Sequence, residues 1–213
     1  MRAVGIQALA VHLPEGVRTN SWWDNHDSSS QEPSKSADMP LSRRYANYDA
    51  AMAPYLNDPF FGSVERRVAV NNESSVSLGV KAATKVLQSA NILAQDIDCL
   101  IATSMFSDRI GSGDAGYLAQ ALGTSGGAFN IEATCGGSMT ALLTACSWVQ
   151  AGLKERILVI TTSRLSRAIE DDDVTMRLCG DASAAFIVGE VPEGYGLLAA
   201  ESLHTGKHVE PGF

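Results

Sequence analysis

Apolar positions along this chain switch between strand-like and helix-like spacing, and the switches mark out its elements. Ala3 to Val11 is β-favouring, alternates loosely and closes at Pro14-Glu15-Gly16, which predicts a first strand. Glu73-Ser74-Ser75 opens a helix to about Ala90, with Val76, Val80, Ala83, Val86 and Leu87 on one face. Asp96 to Ser104 has a continuous apolar centre, as expected of a strand covered on both faces. The turn Gly111-Ser112-Gly113 leads into a helix of about Asp114 to Leu122, ended by Gly123. A short apolar strand from Ala128 then runs into a helix, Met139 to Leu153, that is apolar almost all round and so predicts burial in the middle of a protein. Glu155 to Ser163 reads as another buried strand, Ala184 to Val188 as a strand of small and branched residues, and Gly194 to Leu203 as the start of one more. Strands alternating with helices predict an α/β layered domain with a mostly parallel sheet.

Two stretches break the pattern. From Asn20 to Pro59 the composition turns to Ser, Asp, Asn and Pro, which predicts a mobile surface loop and then a short helix or two over an entrance. Trp22, Trp23, Tyr45, Tyr48, Tyr55, Phe60 and Phe61 either line a binding mouth or pack a small core, and packing is the simpler reading. Ile169 to Asp173, IEDDD, reads as a solvated loop; a metal site is the remote alternative, since no histidine is near it.

Composition narrows the class. The 213 residues are 45% hydrophobic and 19% charged, the profile of a globular domain with room for a sizeable core. A net charge of −8 argues against a nucleic-acid groove or an anionic membrane surface. No apolar run approaches the roughly 20 residues of a membrane span, and the amino terminus lacks the apolar core of a signal peptide, so a cytoplasmic protein is expected. The four cysteines, Cys99, Cys135, Cys146 and Cys179, form no CxxC pair, which excludes a zinc pattern or a disulfide framework. Gly111-Ser112-Gly113 lacks the third glycine and the acidic residue of a dinucleotide fingerprint. Cys99 and Cys146 sit in apolar runs and read as small buried hydrophobes.

Cys135 is different. It stands between a short strand and a helix and is followed by Gly136 and Gly137. A thiol in the first turn of a helix feels unpaired backbone N–H groups, which favour thiolate and make sulfur a better nucleophile. The glycines allow a sharp turn and an unobstructed approach of substrate. The segment reads as a nucleophile elbow with cysteine in place of serine.

Several spaced motifs carry a resemblance: LPEGVRTN at 13–20, SVERRVA at 63–69, DIDCLIATS at 96–104, NIEATCGGSMTALLTA at 130–145, ERILVITTS at 155–163 and CGDASAAFIVGE at 179–190. In this order they resemble the amino-terminal half of β-ketoacyl-ACP synthase III-like enzymes of the thiolase superfamily. The resemblance implies a layered αβαβα half with a mostly parallel mixed sheet around a buried central helix. Residues 1–190 would form the amino-terminal domain, with an inserted loop and helices at about 20–61, and 191–213 would start the carboxy-terminal half. It implies that Cys135 accepts an acyl group as a thioester, with its own N–H in the oxyanion hole. By the same match the Met105 to Gly111 loop, with Met105 and Ile110, reaches a partner subunit's acyl tunnel, and Cys179 lies near the tunnel of its own subunit. An ordinary hydrophobic loop packed on its own domain is the alternative for Met105, Phe106 and Ile110.

No permanently bound cofactor is implied; the substrate would be an acyl-CoA or a phosphopantetheinyl carrier protein, and the expected assembly is a homodimer, without nucleic acid or membrane. The catalytic histidine and asparagine of the family belong to the carboxy-terminal half. His204 and His208 match neither, and His12 and His26 read as surface residues in loops. Two half-folds packed face to face are the family's architecture, so an apolar face is expected to lie uncovered here, the remainder being absent or on another chain. Asp173-Val174 stand where many members carry Arg-Gly for CoA, and Ser63-Val64-Glu65 replaces an early Gly-Ile-Arg block. These departures suggest a carrier-protein thioester or an unusual donor in place of CoA, and specialised metabolism, polyketide synthesis included. Condensation with a malonyl thioester leads; acyl transfer to a hydroxyl or amine, a hydroxymethylglutaryl-CoA synthase-like reaction, and a non-catalytic partner subunit are the alternatives.

Overall fold

In a strand, successive side chains point to opposite faces, so a continuous apolar run is stable only where both faces are covered. The runs in β4 (Cys99–Ser104), β6 (Arg156–Ser163) and β7 (Ala182–Glu190) meet that condition at the centre of a five-stranded sheet. The computed structural model describes residues 2–25, 51, 53–55, 58–171 and 174–201. With β1 (Val4–His12) and β5 (Gly127–Asn130) the strand order is β1-β7-β6-β4-β5. β4 runs parallel to β5 and β6, while β7 is antiparallel to both β6 and β1. The sheet is therefore mixed, its parallel half lying on the β5 side.

The two faces are read off alternate residues. Leu100, Ala102, Leu158, Ile160, Ala185 and Ile187 point to one side, where α1 (Ser75–Ala90) and α2 (Ala115–Leu122) bring Ala82, Val86 and Leu118. Cys99, Ile101, Ile157, Val159, Phe186 and Val188 point to the other, against Ala141, Ala145, Cys146 and Val149 of α3 (Gly137–Gln150). α1 starts at a reciprocal cap between Ser74 and Ser77, the signal carried by Glu73-Ser74-Ser75, and ends on Asn91 in the left-handed conformation.

A second, two-stranded sheet was not predicted. β2 (Gly16–Thr19) pairs antiparallel with β3 (Glu65–Val68), so the motifs at 13–20 and 63–69 are neighbours in space. Between them in the chain, Asn20–Asn25 forms a 3-10 helix rather than the start of a loop. Trp23 is buried and packs edge-on against Phe60, which supports the packing reading for these two rings; Tyr55 and Phe61 are exposed, and Tyr45 and Tyr48 lie outside the described residues. Arg66 lies over both rings, its guanidinium 5.1 and 4.9 Å from the Trp23 and Phe60 ring centres.

Three other expectations change. α3 begins two residues earlier and ends three residues earlier than predicted, and it is buried on one face only: Met139 is 59% exposed. Leu9 of β1, paired with Phe186 and so on the α3 side of the sheet, is 60% exposed. An apolar surface is thus open on this side among the described residues. Residues 191–201 form no strand, although the Val191 and Leu197 N–H groups donate to the Ala3 and Val4 carbonyls at 2.9 and 2.8 Å. Finally, Asp171 is not merely solvated: it pairs with Arg18, and its carbonyl accepts from the Trp23 indole N–H at 3.0 Å. Asp172 and Asp173 lie outside the described residues. Among those described, no group of three or more His, Cys, Asp or Glu could hold a metal, and no helix is long and apolar enough to cross a membrane.

Candidate active site

The parallel strands β4 and β5 deliver their carboxyl ends to one edge of the sheet, the position where open α/β sheets place their ligands. β5 ends at Asn130, whose amide oxygen accepts the Asp114 and Ala115 N–H groups at 3.0 and 3.1 Å. That side chain caps α2 from another element, a task Asp114 does not perform for its own helix. After Ile131 the backbone turns through a short 3-10 segment, Thr134–Gly136, and enters α3. Cys135 sits in this turn, ahead of the first helical residue, and its side chain is exposed.

The sharp point of the turn falls on Thr134, whose φ of 46° places a β-branched residue in the left-handed region. Such a conformation costs about 1–3 kcal/mol and persists only where its surroundings enforce it. Here Glu132 Oε1 accepts the Thr134 N–H at 2.8 Å, and the Thr134 carbonyl accepts the Gly137 N–H. The sharp turn expected of the two glycines falls on Thr134 instead. Neither has positive φ; a Cβ on Gly137 would lie 2.1 Å from Thr103 Oγ1, so this glycine lets α3 start hard against β4. A Cβ on Gly136 would meet nothing within 4 Å, leaving open space beside Cys135.

Beside the elbow lies a cavity of about 560 Å³. Met105 and Ile110 both line it, with Phe106, Glu132 and Arg167. Cys135 is not among its lining residues, nor is Cys179, which is half-buried beyond α4 (Val174–Leu178) and donates its N–H to the Thr175 carbonyl at 2.9 Å. The structure therefore brings together two of the four predicted site residues. Cys99 and Cys146 are buried, and burial pushes both thiols up from their usual range. The exposed thiol of Cys135 thus contrasts with two inert ones.

The cavity loop is held by Asp108, which sequence reading missed. Its Oδ2 accepts the Ser75 N–H at 2.6 Å at the start of α1, and its Oδ1 accepts from Arg164 and Arg167 at 2.7 and 2.6 Å. Burial would raise this carboxyl, but the Ser75 N–H and the two guanidinium groups outweigh it and hold it below the usual carboxylate range. Asp181, 1% exposed, does similar work for the GDAS motif, accepting from the Ala69 and Ser166 N–H groups at 2.7 and 3.0 Å. His12 ends β1 rather than lying in a loop; its side chain is largely covered, 3.2 Å from Lys85 Nζ, and burial with Lys85 and Lys81 lowers its pKa. His26, His204 and His208 lie outside the described residues. Glu132 carried one usable signal, an acidic residue two positions before a turn, which can fold its carboxylate onto the backbone ahead of it.

With this geometry in view, similarity to known proteins is informative. Residues 129–206 match the family model for 3-oxoacyl-[acyl-carrier-protein (ACP)] synthase III. The chain is 38% identical over 157 residues to a β-ketoacyl-[acyl-carrier-protein] synthase III of Bartonella tribocorum, covering 70% of this chain and 48% of that protein. It is 30% identical over 200 residues to the protein of the same name from Fusobacterium nucleatum, covering 93% and 54%. Among solved structures, a β-ketoacyl-[acyl-carrier-protein] synthase III from Thermus thermophilus superimposes with a TM-score of 0.70 at 28% identity, covering 90% of this chain and 53% of that one. The family model, the two relatives and the fold agree: the chain is a β-ketoacyl-[acyl-carrier-protein] synthase III-like member of the thiolase superfamily, and it spans about half the length of the curated relatives it matches.

Proposed function

We propose that this chain carries the acyl-accepting centre of a ketosynthase III-type acyltransferase, with Cys135 as nucleophile. The observation that supports this most directly is the exposed Cys135 on a strained turn between β5 and α3, beside an open face at Gly136. In the proposed step the Cys135 thiolate attacks the carbonyl carbon of an acyl-CoA or acyl-carrier-protein thioester. A tetrahedral oxyanion forms, stabilised by the Cys135 N–H, and collapse expels the donor thiolate and leaves an acyl-Cys135 thioester. Decarboxylation of a malonyl thioester then generates an enolate carbon that attacks the acyl carbonyl, forms the new C–C bond and returns Cys135 as thiolate. The histidine and asparagine that the family uses in this second step are expected from the carboxy-terminal half.

Met105 and Ile110, on the cavity loop, are assigned to the acyl tunnel of a partner subunit in a homodimer, and Cys179 to the tunnel of its own subunit. No resident cofactor is proposed. Specialised metabolism, including polyketide priming, suits the acidic run at 170–173 and the Ser63-Val64-Glu65 block; among structures sharing the fold is a priming β-ketosynthase of the R1128 polyketide pathway, at 22% identity. The test is intact-protein and peptide mass spectrometry after incubation with acyl-CoA and, separately, acyl-carrier-protein donors. An added acyl mass on Cys135, absent in Cys135→Ala, is expected, and the donor that gives it identifies the substrate class. No adduct from either donor, or one carried by Cys179 instead, would overturn the assignment.

A further inference from the structure

Among the described residues, five that are not glycine have positive φ: Phe61, Asn71, Asn72, Asn91 and Thr134. Three are asparagines, which tolerate the left-handed region, and Thr134 alone is β-branched, the residue class that resists it most. It is also the residue immediately before Cys135. The Thr134 carbonyl is taken by the Gly137 N–H at the start of α3, and its N–H is taken by Glu132 at 2.8 Å. Neighbouring bonds within the turn run from the Gly136 N–H to the Ala133 carbonyl at 2.9 Å and from the Thr140 hydroxyl to the Gly136 carbonyl at 3.0 Å. Among these partners Glu132 is the one side chain that touches the strained residue's own N–H.

We infer that Glu132 is a positioning residue for Cys135: by accepting the Thr134 N–H, its carboxylate holds the left-handed peptide that sets the direction of the Cys135 side chain. The inference rests on Cys135 being the nucleophile of the proposed reaction. It assigns Glu132 no contact with the acyl group and no proton transfer. What it requires is an acceptor oxygen, so an amide serves where a methyl group does not. Without the acceptor, Thr134 relaxes toward an ordinary β-branched conformation and Cys135 turns away from the start of α3. A glycine at 134 accepts positive φ freely and removes the need for the clamp.

Two readouts separate this inference from the reaction itself. One is carbamidomethylation of Cys135 by iodoacetamide, in which sulfur displaces iodide, measured by peptide mass spectrometry across pH to give a midpoint and a high-pH plateau. The other is acylation of Cys135 by acyl-CoA or acyl-carrier protein. The proteins are wild type, Glu132→Gln, Glu132→Ala, Thr134→Gly and the double variant Glu132→Ala/Thr134→Gly, with unreactive Cys99 and Cys146 as the check on native folding. The expected result is a plateau at least threefold lower in Glu132→Ala, within twofold of wild type in Glu132→Gln and Thr134→Gly, and restored to within twofold in the double variant. Acylation is expected to fall at least fivefold in Glu132→Ala and to follow the same pattern. An unchanged plateau in Glu132→Ala overturns the inference, as does an equal midpoint shift in the Gln and Ala variants with no change of plateau, which would make Glu132 a charge and not a clamp. Additive losses in the double variant overturn it too. If wild type takes no acyl group, the proposed reaction falls while the alkylation plateau still decides the role of Glu132.

Discussion

The two faces of the central sheet are made by alternate residues of the same strands, yet they do different work. The face under α1 and α2 is closed: Leu100, Leu158, Ile160 and Ile187 are fully buried there, and α1 is capped at both ends. The face under α3 is closed only along the centre of that helix, with Leu9 and Met139 open to solvent and the strained elbow at its rim. One face supplies stability, and the other accommodates strain, exposure and Cys135, the proposed nucleophile. Local strain of this kind is sustained by a well-packed remainder, which is why the elbow can be built on strands anchored from the opposite side.

The contrast breaks most visibly under truncation. Leu158→Ala on the closed face is expected to cost about 2–5 kcal/mol, whereas Leu9→Ala on the open face should stay within about 0.5 kcal/mol. Urea unfolding of both variants measures this, and equal losses would show the two faces to be equivalent. Next comes the join between the faces. Gly137→Ala brings a Cβ against Thr103 Oγ1 and should cost about 1–3 kcal/mol, most of it recovered by adding Thr103→Ala, whose remaining Cβ lies 3.4 Å away. Thermal melts of the single and double variants test that compensation.

The smallest effect sharpens the comparison at the cavity loop. Because Asp108 has a lowered carboxyl pKa in the fold, the unfolded chain takes up its proton first as pH falls. The stability it contributes is complete above the unfolded value near 3.8 and is lost as pH drops through the folded value. Asp108→Asn should lose about 1–2 kcal/mol at neutral pH, the scale of one charge-assisted hydrogen bond, and show a weaker acid dependence below pH of about 4. An acid limb as steep in the variant as in wild type would remove Asp108 from that role.

Most of the secondary structure was legible in the chain because apolar spacing and caps are local signals. β1, α1, β4, α2 and β6 fall within a few residues of their predicted ends, and Gly123 closes α2 with a φ of 71°. α3 was the informative miss. Its residues are apolar almost all round, but how much of a helix is covered depends on what packs against it, and among the described residues the sheet covers one face of it. The β2–β3 pairing was missed for a related reason: its strands are four residues each and lie far apart in the chain, so neither shows a convincing period alone.

The sequence by itself determined the order of the elements of the main sheet and its helices, and the family, and it singled out Cys135 as the candidate among four cysteines, because residue type, spacing and motif order are written along one dimension. Only the tertiary structure decided where the elbow bends: the positive φ falls on Thr134, whose N–H donates to Glu132 and whose carbonyl accepts from the Gly137 N–H, where α3 starts close against Thr103. It alone showed Asn130 capping α2 and Asp108 joining the cavity loop to α1 and two arginines, contacts between residues 15 to 59 positions apart. The physical reason is the same in each case: a hydrogen bond is made with whichever group the fold brings within about 3 Å, and distance along the chain does not report it.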